Sequence, residues 1–282
     1  MTVREAYAYT IKTLSVNEEL SPVFEARILF EELFGLTRLK LAGQSEREFT
    51  AEEKVILDSA AAKRLSGVPL QYITGKWSFM DREYYVGEGV LIPRDDTEVV
   101  VREFYDGIKN IHTPKLADLC SGSGIIALTL SGLLPESSIA AIEKEDAAFE
   151  YLKRNTELHK AENVTIIKGD IFVCHEDFEN ESLDGVISNP PYIETDVIPQ
   201  LQTEVQSEPK TALDGGADGL DFYRCIAEKW LPKLRCGGII AVETGETQAM
   251  AVSELFEQGG AENIRVIKDI QGLDRVIYGT KK

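Results

Sequence analysis

From about residue 96 onward, short apolar runs alternate with longer segments of helical periodicity. The first five apolar runs are Lys115–Leu119, Ser138–Ile142, Val164–Lys168, Leu183–Ser188 and Ile239–Glu243. Segments such as Glu145–Leu158 and Leu220–Leu234 separate most of them. This alternation predicts an α/β fold, with a mostly parallel sheet covered by helices on both faces. Two further runs, Ile264–Lys268 and Val276–Thr280, are joined by a short segment and predict a closing antiparallel hairpin, for seven strands in all.

The first 70 residues have the start and stop signals of helices. Two pairs have the spacing of a capping box, Thr2 with Glu5 and Thr50 with Glu53, and Ser21-Pro22 fits an N-cap followed by a first-turn proline. Gly35 and Gly67 stand where C-terminal glycine caps belong. One apolar stripe for each of two helices runs through Val23, Ala26, Ile28, Leu29 and Leu33, and through Val55, Leu57, Ala61 and Leu65. These signals predict a small helical bundle.

The composition changes from helical to β-prone in residues 71–86, where aromatic and aliphatic residues flank a polar Asp81-Arg82-Glu83 centre. This pattern predicts a β-hairpin that connects the bundle to the α/β region. The predicted organisation is therefore a helical domain over 1–70, a hairpin connector over 71–95 and an α/β domain over 96–282.

Charge is distributed unevenly along the chain. The net charge is −18, of which residues 1–73 contribute −2 and residues 74–282 contribute −16. A protein that binds the phosphate backbone of a nucleic acid usually presents Lys and Arg side chains to it. The acidic α/β region therefore disfavours nucleic acid as the direct substrate.

The sequence shows neither a membrane span nor a signal sequence. The longest apolar runs, such as 125–130 and 237–242, fall far short of the roughly 20 residues that a membrane span needs. The first residues carry acids and tyrosines rather than a signal sequence. We therefore expect a cytoplasmic protein without a membrane anchor.

The four cysteines form no CxxC pair, and the three histidines are scattered along the chain. We therefore expect reduced, mostly buried thiols and no metal site.

A glycine-rich turn follows the first strand of the α/β region, in the stretch Asp118-Leu119-Cys120-Ser121-Gly122-Ser123-Gly124. In open α/β sheets such a turn lies at the carboxyl ends of the strands, where ligands bind. Glu143 ends the next strand about 20 residues later, where a carboxylate can accept hydrogen bonds from both ribose hydroxyls. Because Gly122, Gly124 and Ala127 also satisfy GxGxxA, this turn alone leaves a dinucleotide and S-adenosylmethionine both open.

Three observations favour S-adenosylmethionine. Asp118 could orient the turn or meet the ammonium of a methionine moiety, directly or through water, whereas it would repel a pyrophosphate. Asp170 could accept from an adenine amino group while Ile171 packs on the ring. The terminal pair of strands is common in methyltransferases and unusual in Rossmann dehydrogenases. For either aspartate, a helix N-cap or a turn is the alternative structural role.

The fourth strand leads directly into Asn189-Pro190-Pro191-Tyr192. Two prolines remove two backbone N–H donors and leave carbonyl acceptors beside an asparagine amide and an aromatic face. Such a site suits a planar NH2 group. The alternative is a proline turn that ends the strand, with a packing tyrosine. The position of the motif at a strand end, opposite the glycine turn, favours a catalytic site made of these four residues.

At this point the chain resembles the HemK/PrmC family, the N5-glutamine methyltransferases of peptide chain release factors. The resemblance spans nearly the whole chain. Besides the NPPY motif it rests on Pro69–Gly75, Val90–Arg94 with Thr97-Glu98, Glu208-Pro209, Leu213–Gly216 with Asp218–Leu220, Glu243–Gly245 and Asp274-Arg275. The departures are small: Cys120 and Ser121 stand where the family usually has Gly and Thr, and Asp95 replaces a usual proline.

The resemblance implies a Rossmann-like class I methyltransferase sheet that binds S-adenosylmethionine and releases S-adenosylhomocysteine. The cofactor site would comprise Asp118, Cys120, Ser121, Gly122, Ser123, Gly124, Glu143, Asp170, Ile171 and Asn189. It also implies a protein substrate, the glutamine in the Gly-Gly-Gln loop of bacterial release factors, which the N-terminal helices help to dock. Those helices could instead cover the sheet or mediate dimerisation.

Three other functions stay open on the residues alone. An adenine-N6 methyltransferase would share NPPY but would have to bind nucleic acid with an acidic surface. A nicotinamide-dependent oxidoreductase would use the glycine fingerprint but leave NPPY unexplained. A cofactor-binding module without catalysis is the third. Arg94 could contact a ligand or brace the connector through an ion pair with a neighbouring acid.

Overall fold

The computed structural model describes residues 1–282 and divides into two compact units. Unit 1 comprises residues 1–76 and 202–207, and unit 2 comprises residues 77–201 and 208–282. The first division therefore falls six residues after the predicted end of the helical domain. The hairpin that we expected as a separate connector lies almost entirely in unit 2. None of the helices has the length and hydropathy that crossing a bilayer requires.

Unit 1 is a bundle of helices. Its helices are α1 (Val3–Leu14), α2 (Pro22–Phe34), α3 (Arg38–Gly43), α4 (Ala51–Leu65), α5 (Leu70–Thr74) and the short α9 (Thr203–Gln206). Both predicted capping boxes form, at Thr2 and at Thr50, and Gly35 ends α2 with a left-handed φ of 65°. Ser21 occupies the N-cap of α2 but its side chain makes no capping hydrogen bond.

The core of unit 1 holds Phe30, which stacks on Phe49 with ring centroids 5.6 Å apart and contacts Tyr7 edge-on. The predicted stripes are only partly buried, because Val23 and Val55 remain 62% and 69% exposed. Helical spacing identifies a face, but the neighbouring helices decide how wide the buried part of that face is.

A buried ion pair ties α2 to α4. The guanidinium of Arg64 donates to Glu25 at 2.6 Å, and both side chains are over nine-tenths buried. Arg64 also contacts Glu204 on α9. Residues 202–207 thus belong to the helical unit through a contact that joins positions 140 residues apart. No local pattern in the sequence predicts this insertion.

The hairpin of β1 (Lys76–Phe79) and β2 (Arg82–Tyr85) is shorter than predicted, because residues 70–74 form helix α5. Its second strand is bonded to two helices of unit 2, α7 (Ile125–Leu133) and α8 (Asp146–His159). The Tyr84 hydroxyl lies 2.8 Å from the Thr129 hydroxyl on α7. Asn155 on α8 exchanges two hydrogen bonds with the backbone of Tyr85. These bonds position the chain that follows the hairpin.

Unit 2 contains a seven-stranded sheet in the order β5-β4-β3-β6-β7-β9-β8. The strands are β3 (Lys115–Leu119), β4 (Ser138–Glu143), β5 (Val164–Lys168), β6 (Leu183–Ser188), β7 (Leu234–Glu243), β8 (Ala261–Lys268) and β9 (Asp274–Lys281). β9 pairs antiparallel with both of its neighbours, and the remaining pairings are parallel. The predicted seven-stranded, mostly parallel sheet is confirmed.

Helices cover both faces of this sheet. Side chains on successive strand positions point to opposite faces, so Leu116 of β3 enters one apolar core and Ala117 the other. On β7, Ile239 and Ile240 separate in the same way. The first core also holds α6 (Thr97–Ile108), α7 and α8, and the second holds α10 (Asp221–Cys225) and α11 (Ala249–Gln258). The helix predicted over 220–234 is not a continuous α-helix. The α-helical part, α10, ends at Cys225, and residues 226–230 form a π-helical turn.

Candidate functional site

The site lies where the strand order reverses direction. β3 continues to β4 on one side and pairs with β6 on the other, and the last pair in register is Leu119 with Ser188. The glycine turn that follows β3 and the NPPY segment that follows β6 therefore leave the sheet side by side. A cavity of about 430 Å³ opens there, within the usual size range of small-molecule sites.

The turn after β3 has three residues with left-handed backbone: Cys120 at φ 60°, Gly122 at 56° and Gly124 at 87°. Ser121 N–H donates to the carbonyl of Ile142 at 2.9 Å, and Gly124 N–H donates to the carbonyl of Ser121 at 2.8 Å. Cys120 holds this conformation although it carries a Cβ, which costs about 1–2 kcal/mol in the left-handed region. Of the predicted cofactor residues in this turn, Cys120, Ser121, Gly122 and Ser123 line the cavity, and Gly124 is the N-cap of α7.

Glu143 ends β4 beside that turn and lines the cavity. One carboxylate oxygen accepts from the backbone N–H of Gly122 at 2.8 Å, and the other accepts from that of Glu145 at 2.7 Å. Burial raises the pKa of the carboxyl, and the backbone N–H groups of Glu145, Gly122 and Lys144 oppose that rise. Each oxygen keeps a lone pair, so the group can accept two further hydrogen bonds from a ligand diol.

Asp170 and Ile171 follow β5 on the same wall. One Asp170 oxygen accepts from the Phe172 N–H at 3.0 Å, and the other pairs with Lys144 at 3.0 Å. Ile171 is 3% exposed, and the Phe172 ring meets Phe222 edge-on at 5.2 Å. An apolar slot with a carboxylate at its side suits a flat heteroaromatic ring that carries an amino group.

Asp118 lies behind the turn rather than on the cavity wall. It is fully buried, and one oxygen accepts from the N–H of Ala127 in the first turn of α7 at 3.1 Å. Its other oxygen has no hydrogen-bond partner. Burial raises the pKa of this carboxyl to about 7. Of the roles predicted for Asp118, this geometry corresponds to orienting the turn.

In the NPPY segment, Asn189 and Pro191 line the cavity. Pro190 is buried, and the Tyr192 ring packs in the second core, with its hydroxyl 3.5 Å from Glu243. Burial raises the pKa of Tyr192, so its phenol stays protonated. The structure thus brings Asn189 and the glycine turn to one cavity, while Tyr192 supports the segment from behind.

A glycine-rich loop over residues 213–219 holds the backbone of Tyr192 and Ile193. Ile193 exchanges hydrogen bonds with residues 213 and 215, and the side chain of Gln248 donates to the carbonyl of Tyr192 at 2.9 Å. A Cβ on Gly219 would lie 2.4 Å from that carbonyl, and a Cβ on Gly215 would lie 2.8 Å from the Tyr192 Cα. The two glycines permit a backbone approach that no other residue allows.

The remaining wall of the cavity carries three cationic side chains, each of which already contacts a carboxylate. Arg94 contacts the buried Glu208, which also accepts from the N–H of Ile92 at 2.9 Å. Lys144 pairs with Asp170, and Lys210 lies 3.5 Å from Asp214. Arg94 therefore both lines the cavity and makes an intramolecular ion pair. Because each of these cations has a carboxylate partner, the wall is poorly suited to a pyrophosphate.

Several residues of the site carried no predicted role. Thr97, Glu208, Lys210 and Phe222 belong to the site or to its support, and Glu243 lies directly behind it. Thr97, Glu208 and Glu243 stand in sequence stretches that carried the family resemblance, so a signal was present without an assigned role. No group of three or more His, Cys, Asp or Glu side chains is arranged to hold a metal ion.

Two protein-family models match the chain. The PrmC N-terminal domain matches residues 5–75, and the methyltransferase small domain matches residues 97–216. These two spans correspond closely to the helical part of unit 1 and to the part of the α/β region from the start of α6 to the loop that precedes α10.

Curated relatives are similar over the full length. A release factor glutamine methyltransferase of Moorella thermoacetica is 37% identical, covering 100% of this chain and 99% of its own. One of Thermodesulfovibrio yellowstonii is 37% identical over 93% of this chain and 94% of its own.

Solved structures share the fold. The catalytic domain of hMettl16 superimposes with a TM-score of 0.60 at 15% identity, covering 93% of this chain and 92% of that chain. A methyltransferase of Pyrococcus furiosus superimposes with a TM-score of 0.53 at 17% identity, covering 82% of this chain and 99% of that chain.

Proposed function

This chain belongs to the family of release factor glutamine methyltransferases, and from that premise we propose how its residues hold the cofactor and the glutamine. The enzyme transfers a methyl group to the side-chain amide nitrogen of a glutamine in a peptide chain release factor. An amide nitrogen is a weak nucleophile, because its lone pair is delocalised into the carbonyl. The protein must therefore supply positioning and electrostatic stabilisation.

We propose that the methyl donor is S-adenosylmethionine, bound in the cavity. When bound, it supplies a methyl group activated on a sulfonium. Glu143 would accept from the two ribose hydroxyls with the lone pairs that its backbone donors leave free. Asp170 would accept from the adenine amino group, with Ile171 on the ring face. The paired state of Arg94, Lys144 and Lys210 supports this ligand over a dinucleotide.

We propose that Asn189 and Pro190 hold the substrate amide. The Asn189 side-chain oxygen and the Pro190 carbonyl would accept its two N–H bonds, and Tyr192 would support the NPPY segment from behind. Acceptor dipoles there also stabilise the positive charge that grows on nitrogen during transfer. The single observation that carries this proposal is that Asn189 lines the same cavity as Gly122 and Glu143. A dedicated base is not required if the proton leaves after methyl transfer.

We propose that the substrate glutamine lies in the Gly-Gly-Gln loop and that unit 1 helps to dock the release factor. The exposed apolar side chains of Val23 and Phe24 at the start of α2 support a docking role for this unit. Changing Val23 to Asp should then weaken methylation of the whole release factor more than methylation of a short loop peptide. The exposed Val16, changed likewise, serves as the control. Equal losses on both substrates would argue against docking by α2.

The test of the proposed function is methyl transfer from tritiated S-adenosylmethionine to a purified release factor. Asn189→Ala should lower kcat by about 100-fold or more, the scale for loss of a polar group that acts on the transition state. Binding of S-adenosylmethionine, measured by calorimetry, should change by less than about threefold. Asn180→Ala, at an exposed position, is the matched control. Near-normal turnover of the Asn189 variant would defeat the assignment, and labelling of nucleic acid instead would defeat the function.

A further inference from the structure

We propose that Thr97 and Glu243 are positioning residues that fix which end of the Asn189 amide faces the substrate. The inference rests on the proposed function and deepens it, since neither residue is among those proposed to hold the glutamine. Its basis is a series of hydrogen bonds that runs from the cavity wall to the buried Glu243. Asn189 Nδ2 donates to Thr97 Oγ1 at 3.1 Å, and Thr97 Oγ1 donates to Glu243 Oε2 at 2.7 Å.

The direction of this series follows from which groups can donate. A carboxylate can only accept, and a threonine hydroxyl has a single hydrogen. When Glu243 is ionised, the Thr97 hydroxyl donates its only hydrogen to Oε2. Toward Asn189 the hydroxyl can therefore act only as an acceptor. The Asn189 amide must then turn its NH2 group toward Thr97. Its oxygen, Oδ1, is the atom left for the cavity.

The orientation of this amide decides whether the site can work. A glutamine amide nitrogen presents N–H bonds, so it needs an acceptor in front of it. If the Asn189 amide were rotated by 180°, its NH2 group would face the substrate NH2 group, and two donors would oppose each other. An asparagine alone carries no preference between these orientations. The Thr97–Glu243 pair supplies one.

The burial of both groups makes the preference strong. Thr97 is fully buried and Glu243 is 1% exposed, so water cannot replace either partner. Glu243 ends β7, and Thr97 begins α6, which places a strand end and a helix start behind the NPPY segment. A hydrogen bond whose alternative is an unpaired buried group is costly to break.

Several ionisable groups face the Glu243 carboxyl. The Tyr192 hydroxyl lies 3.5 Å from Oε1, and the Tyr223 hydroxyl donates to the Glu243 backbone carbonyl at 2.8 Å. Arg275 favours the ionised form and Asp96 opposes it, and Arg275 is itself paired with Asp96 and Asp269. Burial is the largest effect and raises the pKa of Glu243 to about 7.

The test compares two variants of Thr97 in the full enzyme, with a release factor as substrate. Thr97→Val keeps the shape and removes the hydroxyl, whereas Thr97→Ser keeps the hydroxyl. We expect Thr97→Val to lower kcat about tenfold or more, and Thr97→Ser to keep kcat within about threefold of wild type. Binding of S-adenosylmethionine and KM for the release factor should change little in both. Wild-type kcat in Thr97→Val, or equal losses in the two variants, would overturn the inference.

A second variant tests the carboxylate itself. Below pH 7 the protonated Glu243 can donate a hydrogen bond to Thr97. The direction of the hydrogen bonds from Asn189 to Glu243 is then no longer fixed, so wild-type kcat should fall as pH is lowered through about 7. Glu243→Gln should reduce kcat at pH 8 and remove that pH dependence. An unchanged pH profile in this variant would contradict the role of Glu243. Failure of the wild-type enzyme to methylate any release factor would instead defeat the proposed function.

Discussion

The backbone N–H of Gly122 donates a 2.8 Å hydrogen bond to Oε2 of Glu143. This bond ties the turn after β3 to the carboxylate that ends β4, two elements 21 residues apart in sequence. The same carboxyl group that can hold a ligand diol therefore also holds the loop on which the rest of the ligand would lie. Ligand binding and the shape of the turn depend on one side chain.

Replacing Glu143 by Ala should weaken binding of S-adenosylmethionine by at least about tenfold, because hydrogen bonds to a charged group contribute roughly 1.5–3 kcal/mol each. Calorimetry with S-adenosylmethionine and with S-adenosylhomocysteine measures the change. Glu150→Ala, an exposed glutamate on α8, is the control. Unchanged affinity in the Glu143 variant would remove this residue from the cofactor site.

Replacing Gly219 by Ala should lower kcat, because the new Cβ would meet the Tyr192 carbonyl oxygen at 2.4 Å and displace the NPPY segment. Gly237→Ala is a matched control, since Gly237 also has a left-handed φ, of 75°, but nothing lies within 4 Å of its Cβ position. Both variants carry the backbone penalty of about 1 kcal/mol, and only the first carries the clash. Steady-state kinetics on a release factor would distinguish them, and equal kcat values would mean that the loop over 213–219 does not position Tyr192.

Cys120 adopts a φ of 60° in the turn after β3, so Cys120→Gly should be more stable than Cys120→Ala by about 1 kcal/mol. Both variants lose the sulfur, and only the alanine retains a Cβ in the left-handed region. Urea denaturation of the two proteins gives the difference directly. A more stable alanine variant would show that the turn holds this residue without strain.

Asp118 should make the protein less stable as pH rises. Its pKa in the folded protein is raised from 3.8 to about 7, so the folded state binds the proton more tightly than the unfolded state does. Its contribution is therefore fully present below about pH 3.8 and is lost as pH rises through 7. Because Asn cannot ionise, the stability of Asp118→Asn relative to wild type should increase between about pH 4 and pH 7 and then level off. Denaturation midpoints at several pH values measure this, and a flat difference would contradict it.

Local sequence patterns predicted the sheet and the two segments that meet at its edge. The strands at 115–119, 164–168 and 183–188 have the predicted bounds, because period and burial act over a few neighbouring residues. The glycine turn and the NPPY segment follow adjacent parallel strands, and that placement follows from the alternation of strands and helices. The family resemblance added the chemistry to this frame.

Contacts between distant positions escaped prediction. Thr97 meets Glu243 across 146 residues, and Ile92 meets Glu208 across 116, and no spacing rule reaches that far. The position of Asp118 behind the turn, away from the cavity, was likewise decided by the packing of α7 on the sheet. Sequence alone determined the strands, the turn and the motif that carries the chemistry, because these depend on neighbours along the chain. The tertiary structure decided which buried donors and acceptors pair behind that motif, because hydrogen bonding between remote segments is fixed only when the whole core closes.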